Sequence, residues 1–265
     1  MKSFEEAEPA QKIRVGLIGL GAIGGTFTAF AERAEPEQVE VVAALVRDLR
    51  RPRPVGVPQI TELAELLALE PDVVAEAAGH DALRSYGPPC LEASIPLVIL
   101  SVGALADARF EVELRHAALK GKASATIASG GVGALDMLAS AAEGGLDFVR
   151  HIISKPAGAL GVDVASRTEL FRGSAREAAI LYPQNANVAA AVALAGVGLD
   201  RSEVAVVADP YAAVNTQQIE AGGAFGSFTL SIQNRPSDQN PRTSAIVAMS
   251  LMHAVRKLHQ PLVIG

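Results

Sequence analysis

Tryptophan is absent from this chain of 265 residues, and cysteine occurs once, at Cys90. A single thiol excludes an intramolecular disulfide and a zinc cluster built on thiolates; no metal site is expected, and Cys90 reads as a small buried apolar side chain. Basic residues are short as well: 23 Lys and Arg stand against 29 Asp and Glu, for a net charge of -6. With an isoelectric point near 5.4, that balance argues against a nucleic-acid partner and describes a solvated acidic surface. Long apolar runs are missing too. The mean hydropathy of +0.27 comes largely from Ala and Val, and no run approaches the ~20 residues that cross a bilayer. Met1 to Lys12 has neither the basic start nor the apolar core of a secretory signal and reads as a short disordered leader. A soluble cytoplasmic protein with no membrane or nucleic-acid partner is therefore expected. Repeats and low-complexity linkers are absent.

One stretch stands out from this background. Ile13-Arg14-Val15-Gly16-Leu17-Ile18-Gly19-Leu20-Gly21-Ala22-Ile23-Gly24 reads as a strand, a tight glycine turn and the opening of a helix. Gly19 permits the turn, Gly21 lets backbone amides approach a pyrophosphate, and Gly24 lets the helix pack close on its strand. Ala22 and Ile23 complete the expected pyrophosphate contacts at the positive end of the helix dipole. A glycine-rich turn can also be purely structural. Its place near the N-terminus, between two strands, favours a dinucleotide, NADP or NAD.

The second strand, Val39 to Val46, runs into Arg47 and Asp48. A carboxylate at this point commonly binds the ribose 2'-hydroxyl, whereas a basic residue accommodates a 2'-phosphate. Arg47, with Arg50, Arg51 and Arg53 behind it, tilts the expectation toward NADP or tolerance of both cofactors. Asp48 still lies within reach of a ribose, and a solvated Arg47 is the plain alternative. Thr61 is expected to cap a helix over 62–69, and 71–80 reads as a buried strand entering a loop. Doubly wound sheets hold ligand in such loops. Ala78 and Gly79 are therefore expected against the cofactor, while His80 is either a catalyst or a structural hydrogen-bonding group. Helices are predicted over 86–93 and 110–120, and strands at 97–101 and 123–127. The alternation implies a Rossmann dinucleotide-binding domain: a mostly parallel sheet with helices on both faces.

Beyond Ser129 the pattern changes. A glycine-rich loop over 129–134 enters a helix ending near Ala142, and longer alternating strands are predicted at 148–154, 164–171, 204–208 and 225–234. Between them lie helices over 175–181 and 187–195, which implies a second, α+β domain with a mixed or antiparallel sheet. Asn240-Pro241 resembles an N-cap followed by proline at the first helical position. A helix over 242–258 is expected to pack back on the first domain. The division is thus 12–128 plus 240–265 for the dinucleotide domain and 129–239 for the second domain.

Several stretches together resemble the L-aspartate dehydrogenase family over nearly the whole chain. They include G-L-G-A-I-G at Gly19 to Gly24, E-A-A-G-H at Glu76 to His80, S-V-G-A-L at Ser101 to Leu105 and S-G-G-V-G-A-L-D at Ser129 to Asp136. Lys155-Pro156, P-Q-N-A-N-V-A-A from Pro183, A-D-P at Ala208 to Pro210, G-A-F-G at Gly223 to Gly226 and N-P-R-T-S from Asn240 follow in the family's order. The resemblance implies a homodimeric oxidoreductase that makes iminoaspartate for NAD biosynthesis, with substrate, catalysis and dimerisation assigned to 129–239. It also implies that the Ser-Gly turn and the P-x-N-x-N segment flank the nicotinamide, which picks out Gly131, Asn185 and Asn187. Turn glycine and helix-capping asparagine are the structural alternatives.

The departure falls at the point of chemistry. Where the family carries its catalytic histidine, in N-x-H-x-I, this chain has Asn215-Thr216-Gln217-Gln218-Ile219. A histidine can shuttle the protons of oxidative deamination, whereas Gln217 can only orient or hydrogen-bond. Three readings follow: an amino acid dehydrogenase in which His80 or a water moves the proton, an oxidoreductase of another small amino or keto acid, or a non-catalytic dinucleotide sensor. Lys155, Arg172 and Arg242 are the candidate cations for substrate carboxylates.

Overall fold

Val15, Leu17 and Ile18 lose essentially all contact with water, and they do so because their strand lies mid-sheet with helices on both faces. The computed structural model describes residues 12–33, 39–50, 56–182 and 186–264. Its first sheet takes β1 (Ile13–Ile18), β2 (Val39–Leu45), β3 (Gln59–Ile60), β4 (Val73–Glu76), β5 (Leu97–Ile99) and β6 (Ala125–Ile127). They are ordered β3-β2-β1-β4-β5-β6, and every pair is parallel. Helices α1 (Ala22–Arg33), α2 (Leu63–Ala68), α3 (His80–Glu92) and α4 (Ala108–Gly121) connect them, with a short 3-10 turn at Val102–Ala106. Strand order reverses between β1 and β4, so the crevice outside their carboxyl ends is the natural place for a ligand.

Three local expectations need correction here. Thr61 does not cap α2: the cap residue is Glu62, and it makes no side-chain capping bond. His80 is not in a loop but is the first residue of α3, which begins well before position 86. Gly79, at φ 112°, makes the reversal that lets the helix start so early. Cys90 lies buried in α3, where burial pushes its thiol up to about 12.

After α5 (Leu135–Glu143) the second sheet forms from β7 (Leu146–Pro156), β8 (Thr168–Ser174), β9 (Glu203–Asp209), β10 (Asn215–Gly223) and β11 (Gly226–Asn234). Its order is β11-β10-β7-β9-β8. Only β7 and β9 run parallel, so the sheet is mixed, as the alternating pattern implied. β10 escaped the sequence reading because it opens on four polar residues; its buried face carries Gln217, Ile219 and Ala221. Helices α6 (Ala175–Leu181) and α7 (Ala186–Ala195) complete this part.

α7 explains how the two sheets sit together. Its inward residues are almost all alanine, and Val192 packs with Ile219 and Ala221 of the second sheet. On the other side a Cβ at Gly103 would come within 2.6 Å of Ala186 Cβ, so the helix approaches the 3-10 turn as closely as backbone allows.

The C-terminal region departs from expectation at its start. Asn240 and Pro241 do not open a helix. They belong to β13 (Asn240–Ser244), which pairs with β12 (Pro236–Ser237), and α8 (Ile246–Lys257) begins only afterwards. α8 does pack back on the first sheet: Leu251, Met252 and Val255 share a buried cluster with Phe27 of α1 and Val15 and Leu17 of β1. Burying each such side chain contributes about 1.5–3 kcal/mol, enough to seal that face.

Candidate functional site

The turn after β1 is governed by contact distances that only glycine tolerates. Gly19 has φ 93°, and a Cβ there would lie 2.6 Å from Ala78 Cβ; at Gly24 it would lie 2.1 Å from the Gly19 carbonyl oxygen. Gly21 faces open space. The first intrahelical bond of α1 runs from the Gly25 amide to the Gly21 carbonyl, so the amides of Ala22, Ile23 and Gly24 precede the ladder and have no partner in it. No acidic residue sits in that first turn. A cleft of about 360 Å³ opens here, lined by Gly19, Gly21, Arg47, Ala78, Gly79 and His80 among others.

Arg47 is exposed at the rim of this cleft. Asp48 is engaged by Arg50: its Oδ1 accepts from the Arg50 amide at 2.9 Å and from Arg50 Nε at 3.0 Å. Those bonds hold its carboxyl below the usual range.

Glu76, wholly buried at the end of β4, organises the floor. The amides of Ala78 and Gly79 donate to its Oε1 at 2.8 and 2.9 Å. From the neighbouring strand end, the Ser101 amide donates to Oε2 at 3.0 Å and the Ser101 hydroxyl to Oε1 at 2.8 Å. A buried carboxylate accepting four bonds locks the loops after β4 and β5 together. Sequence reasoning assigned Glu76 no role; an acidic residue ending an otherwise apolar strand was the available signal.

A second cleft, of about 190 Å³, lies between the two sheets. Ile23 and Gly131 reach it from the first side, and Lys155, Asn187, Asn215 and Gln217 from the second. Asn187 joins the two clefts: its Oδ1 accepts from His80 Nε2 at 2.8 Å and from the Gly103 amide at 2.9 Å. The glycine loop is held from both sides. Asn234 Nδ2 donates to the Gly131 carbonyl at 2.8 Å, and the Gly130 amide donates to Ser250 Oγ of α8 at 3.0 Å.

Gln217 is buried, and behind it stands a residue that sequence reasoning missed. His151 of β7 donates from Nε2 to Gln217 Oε1 at 2.7 Å. Its ring is fully buried, and Nδ1 has no partner among the described residues. Burial pushes the imidazole down to about 4 against the modest upward pull of Gln217, so it is neutral at pH 7. Lys155, two pairs further along β7 on the same face, is half-buried, and desolvation lowers its ammonium from the ordinary value.

Of the residues singled out from sequence, Gly19, Gly21, Arg47, Ala78, Gly79 and His80 thus gather at the first cleft, with Ala22 and Gly24 in the turn beside it. Ile23, Gly131, Asn187 and Gln217 gather at the second. Asn185 lies outside the described residues, as does the side chain of Arg242. Arg172 is in neither cleft; Glu169 and Glu203 engage it on the second sheet.

Comparison with known proteins agrees with this geometry. Residues 136–258 match the family described as aspartate dehydrogenase, C-terminal, and residues 19–127 match the homoserine dehydrogenase NAD-binding domain. The L-aspartate dehydrogenase of Cupriavidus necator is 39% identical, covering 92% of this chain and 96% of that protein. That of Ruegeria pomeroyi is 41% identical over 93% of this chain and 92% of its own. The crystal structure of aspartate dehydrogenase from Thermotoga maritima superposes with a TM-score of 0.82 at 27% identity, covering 96% of this chain and all of that one.

Proposed function

The chain belongs to the L-aspartate dehydrogenase family, and from that premise we propose that it oxidises L-aspartate with NADP or NAD to iminoaspartate. Water then opens the imine to oxaloacetate and ammonia, or the imine is passed on toward pyridine nucleotide synthesis. The observation that carries the reading is the second cleft, where Ile23 of the glycine turn lines the same space as Gln217, Lys155 and Asn187.

The cofactor fits the first cleft. Its pyrophosphate would lie on the amides of Ala22, Ile23 and Gly24, with Gly19 and Gly21 providing the approach. Arg47, exposed and beside the cleft, would meet the adenosine end. Asp48 is occupied by Arg50, so a 2'-phosphate is served better than a bare ribose. His80, Gly131 and Asn187 would surround the nicotinamide, with Ala78 and Gly79 along the cofactor's path in the first cleft. When bound, that ring supplies the hydride acceptor; the protein's part is to hold substrate and move protons. His80 is tied to Asn187, an arrangement that suits positioning of the nicotinamide pocket. Gln217, with Oε1 taken by His151, would present its amide nitrogen to an oxygen of the substrate.

We take residues 12–128 with 240–265 as the dinucleotide unit and 129–239 as the substrate unit, and expect a cytoplasmic homodimer. Gln217 favours one rival reading, a protein that binds dinucleotide without turning over L-aspartate. Steady-state turnover of L-aspartate with each cofactor, beside Gln217→His and a dinucleotide titration, separates them. Wild-type turnover is expected; tight binding with no wild-type turnover, restored by Gln217→His, would refute the proposal.

A further inference from the structure

Oxidative deamination requires that the α-ammonium lose a proton before its nitrogen can form a double bond to carbon. Histidine at position 217 would be the obvious acceptor, and this chain has none there. The two histidines nearby are committed elsewhere. His80 gives its Nε2 to Asn187 and lines the other cleft. His151 is sealed behind Gln217, with no surface on the cleft.

Among the described residues lining the second cleft, Lys155 alone carries a side chain that titrates in water. The pairing Thr216↔Ser154 brings Asn215 next to it in register, and Gln217 opposes Ile153 one step away. Lys155 therefore shares a wall with the residue at the expected catalytic position. The other walls are neutral: Asn187 from α7, Asn234 from β11, and Thr243 and Ser244 from β13. On the paired strand β9, Asp209 stands opposite Pro156, and its carboxylate accepts the Tyr211 amide at 2.8 Å. Among the described residues Lys155 thus has no carboxylate partner, and its partial burial lowers the ammonium from its ordinary value, making the amine easier to reach.

We propose that Lys155 is the proton acceptor of this site, standing in for the missing histidine. Resting on the amino acid dehydrogenase reading above, the step is a single transfer. The neutral Nζ takes one proton from the substrate's α-ammonium, the N–H electron pair stays on the substrate nitrogen as its lone pair, and Lys155 becomes the ammonium. In the reductive direction the same proton returns. Gln217 and Asn187 then need only orient, which is all that amides can do.

A cation that simply paired with the substrate carboxylate would sit in the same place, so the test must separate charge from proton transfer. Lys155→Arg keeps the charge and abolishes an accessible neutral form; Lys155→Met removes both. In L-aspartate oxidation both variants are expected to lose ~10²- to 10⁴-fold in kcat. Dinucleotide titration of each reports that the fold survives. Adding Gln217→His to Lys155→Met is expected to recover turnover. Independently of catalysis, pH-dependent acylation of the ligand-free protein, read by mass spectrometry, should give Lys155 a lower titration midpoint than exposed Lys122. A Lys155→Arg variant with wild-type kcat, or equal midpoints for the two lysines, would overturn the proposal. Failure of the dehydrogenase reading itself shows differently, as a wild type that binds dinucleotide and leaves L-aspartate unchanged, while the acylation measurement still decides the state of Lys155.

Discussion

The two clefts are built by opposite means. The first is largely main chain: the turn at Gly19 to Gly24, the amides of Ala78 and Gly79 and the opening of α3 all lie at the ends of neighbouring parallel strands. The second is made of side chains from separate elements. Its links span 66 residues from His151 to Gln217, 103 from Gly131 to Asn234 and 107 from His80 to Asn187. A backbone cradle tolerates side-chain change provided its glycines stay small. A side-chain cleft changes chemistry with one substitution, as Gln217 shows.

The sharpest way to break this contrast is to give the first cleft a side chain. Gly24→Val would drive a Cβ into the Gly19 carbonyl, 2.1 Å away, and backbone cannot yield as a flexible side chain does. A loss of about 3 kcal/mol or more in stability is expected, with dinucleotide affinity falling at least ~10²-fold. Normal thermal unfolding and normal titration in this variant would show that the turn is not held by contact.

The second cleft should instead respond to acid. His151 ordinarily titrates at 6.5 but only at about 4 in the folded protein. Between those values the unfolded chain binds a proton that the folded one refuses, so this group's contribution is complete above about 6.5 and is lost as pH falls toward 4. The difference amounts to about 3 kcal/mol. Chemical denaturation from pH 7 to 4 should show it, and His151→Phe should flatten that slope. An identical slope in the variant would place the acid sensitivity elsewhere.

Glu76 offers an intermediate effect, since it serves the first cleft by a side chain. Glu76→Gln would keep an oxygen toward the amides of Ala78 and Gly79 but turn an amide donor toward the Ser101 amide. About 1–3 kcal/mol should be lost, together with dinucleotide affinity, whereas an unchanged urea midpoint would mean that the strand ends hold themselves. Smallest of all, Arg47→Ala should weaken NADP ~10-fold, about 1.4 kcal/mol, and leave NAD nearly unaffected. Equal losses for both cofactors would assign Arg47 to general charge.

Legibility followed the same divide. The glycine turn, the alternation of short strands and helices that implies a parallel sheet, and the place of α6 could be read because each signal lies in residues close together in the chain. β10 was missed because Asn215 to Gln218 are polar, and tertiary burial of Gln217 outweighed that local signal. Asn240-Pro241 also suits a helix cap, and only the pairing of β13 with β12 decides against one.

By itself the sequence determined the fold class, the dinucleotide turn and the replacement at position 217, all set by local spacing and by the order of motifs. Only tertiary structure decided that His151 stands behind Gln217, that Glu76 binds two strand ends and that Lys155 is the one titratable group lining the second cleft among the described residues. Those neighbours are fixed by strand register and by the packing of α7 between the sheets, and register is a long-range property: shifting one strand by a single residue turns every side chain on it to the other face.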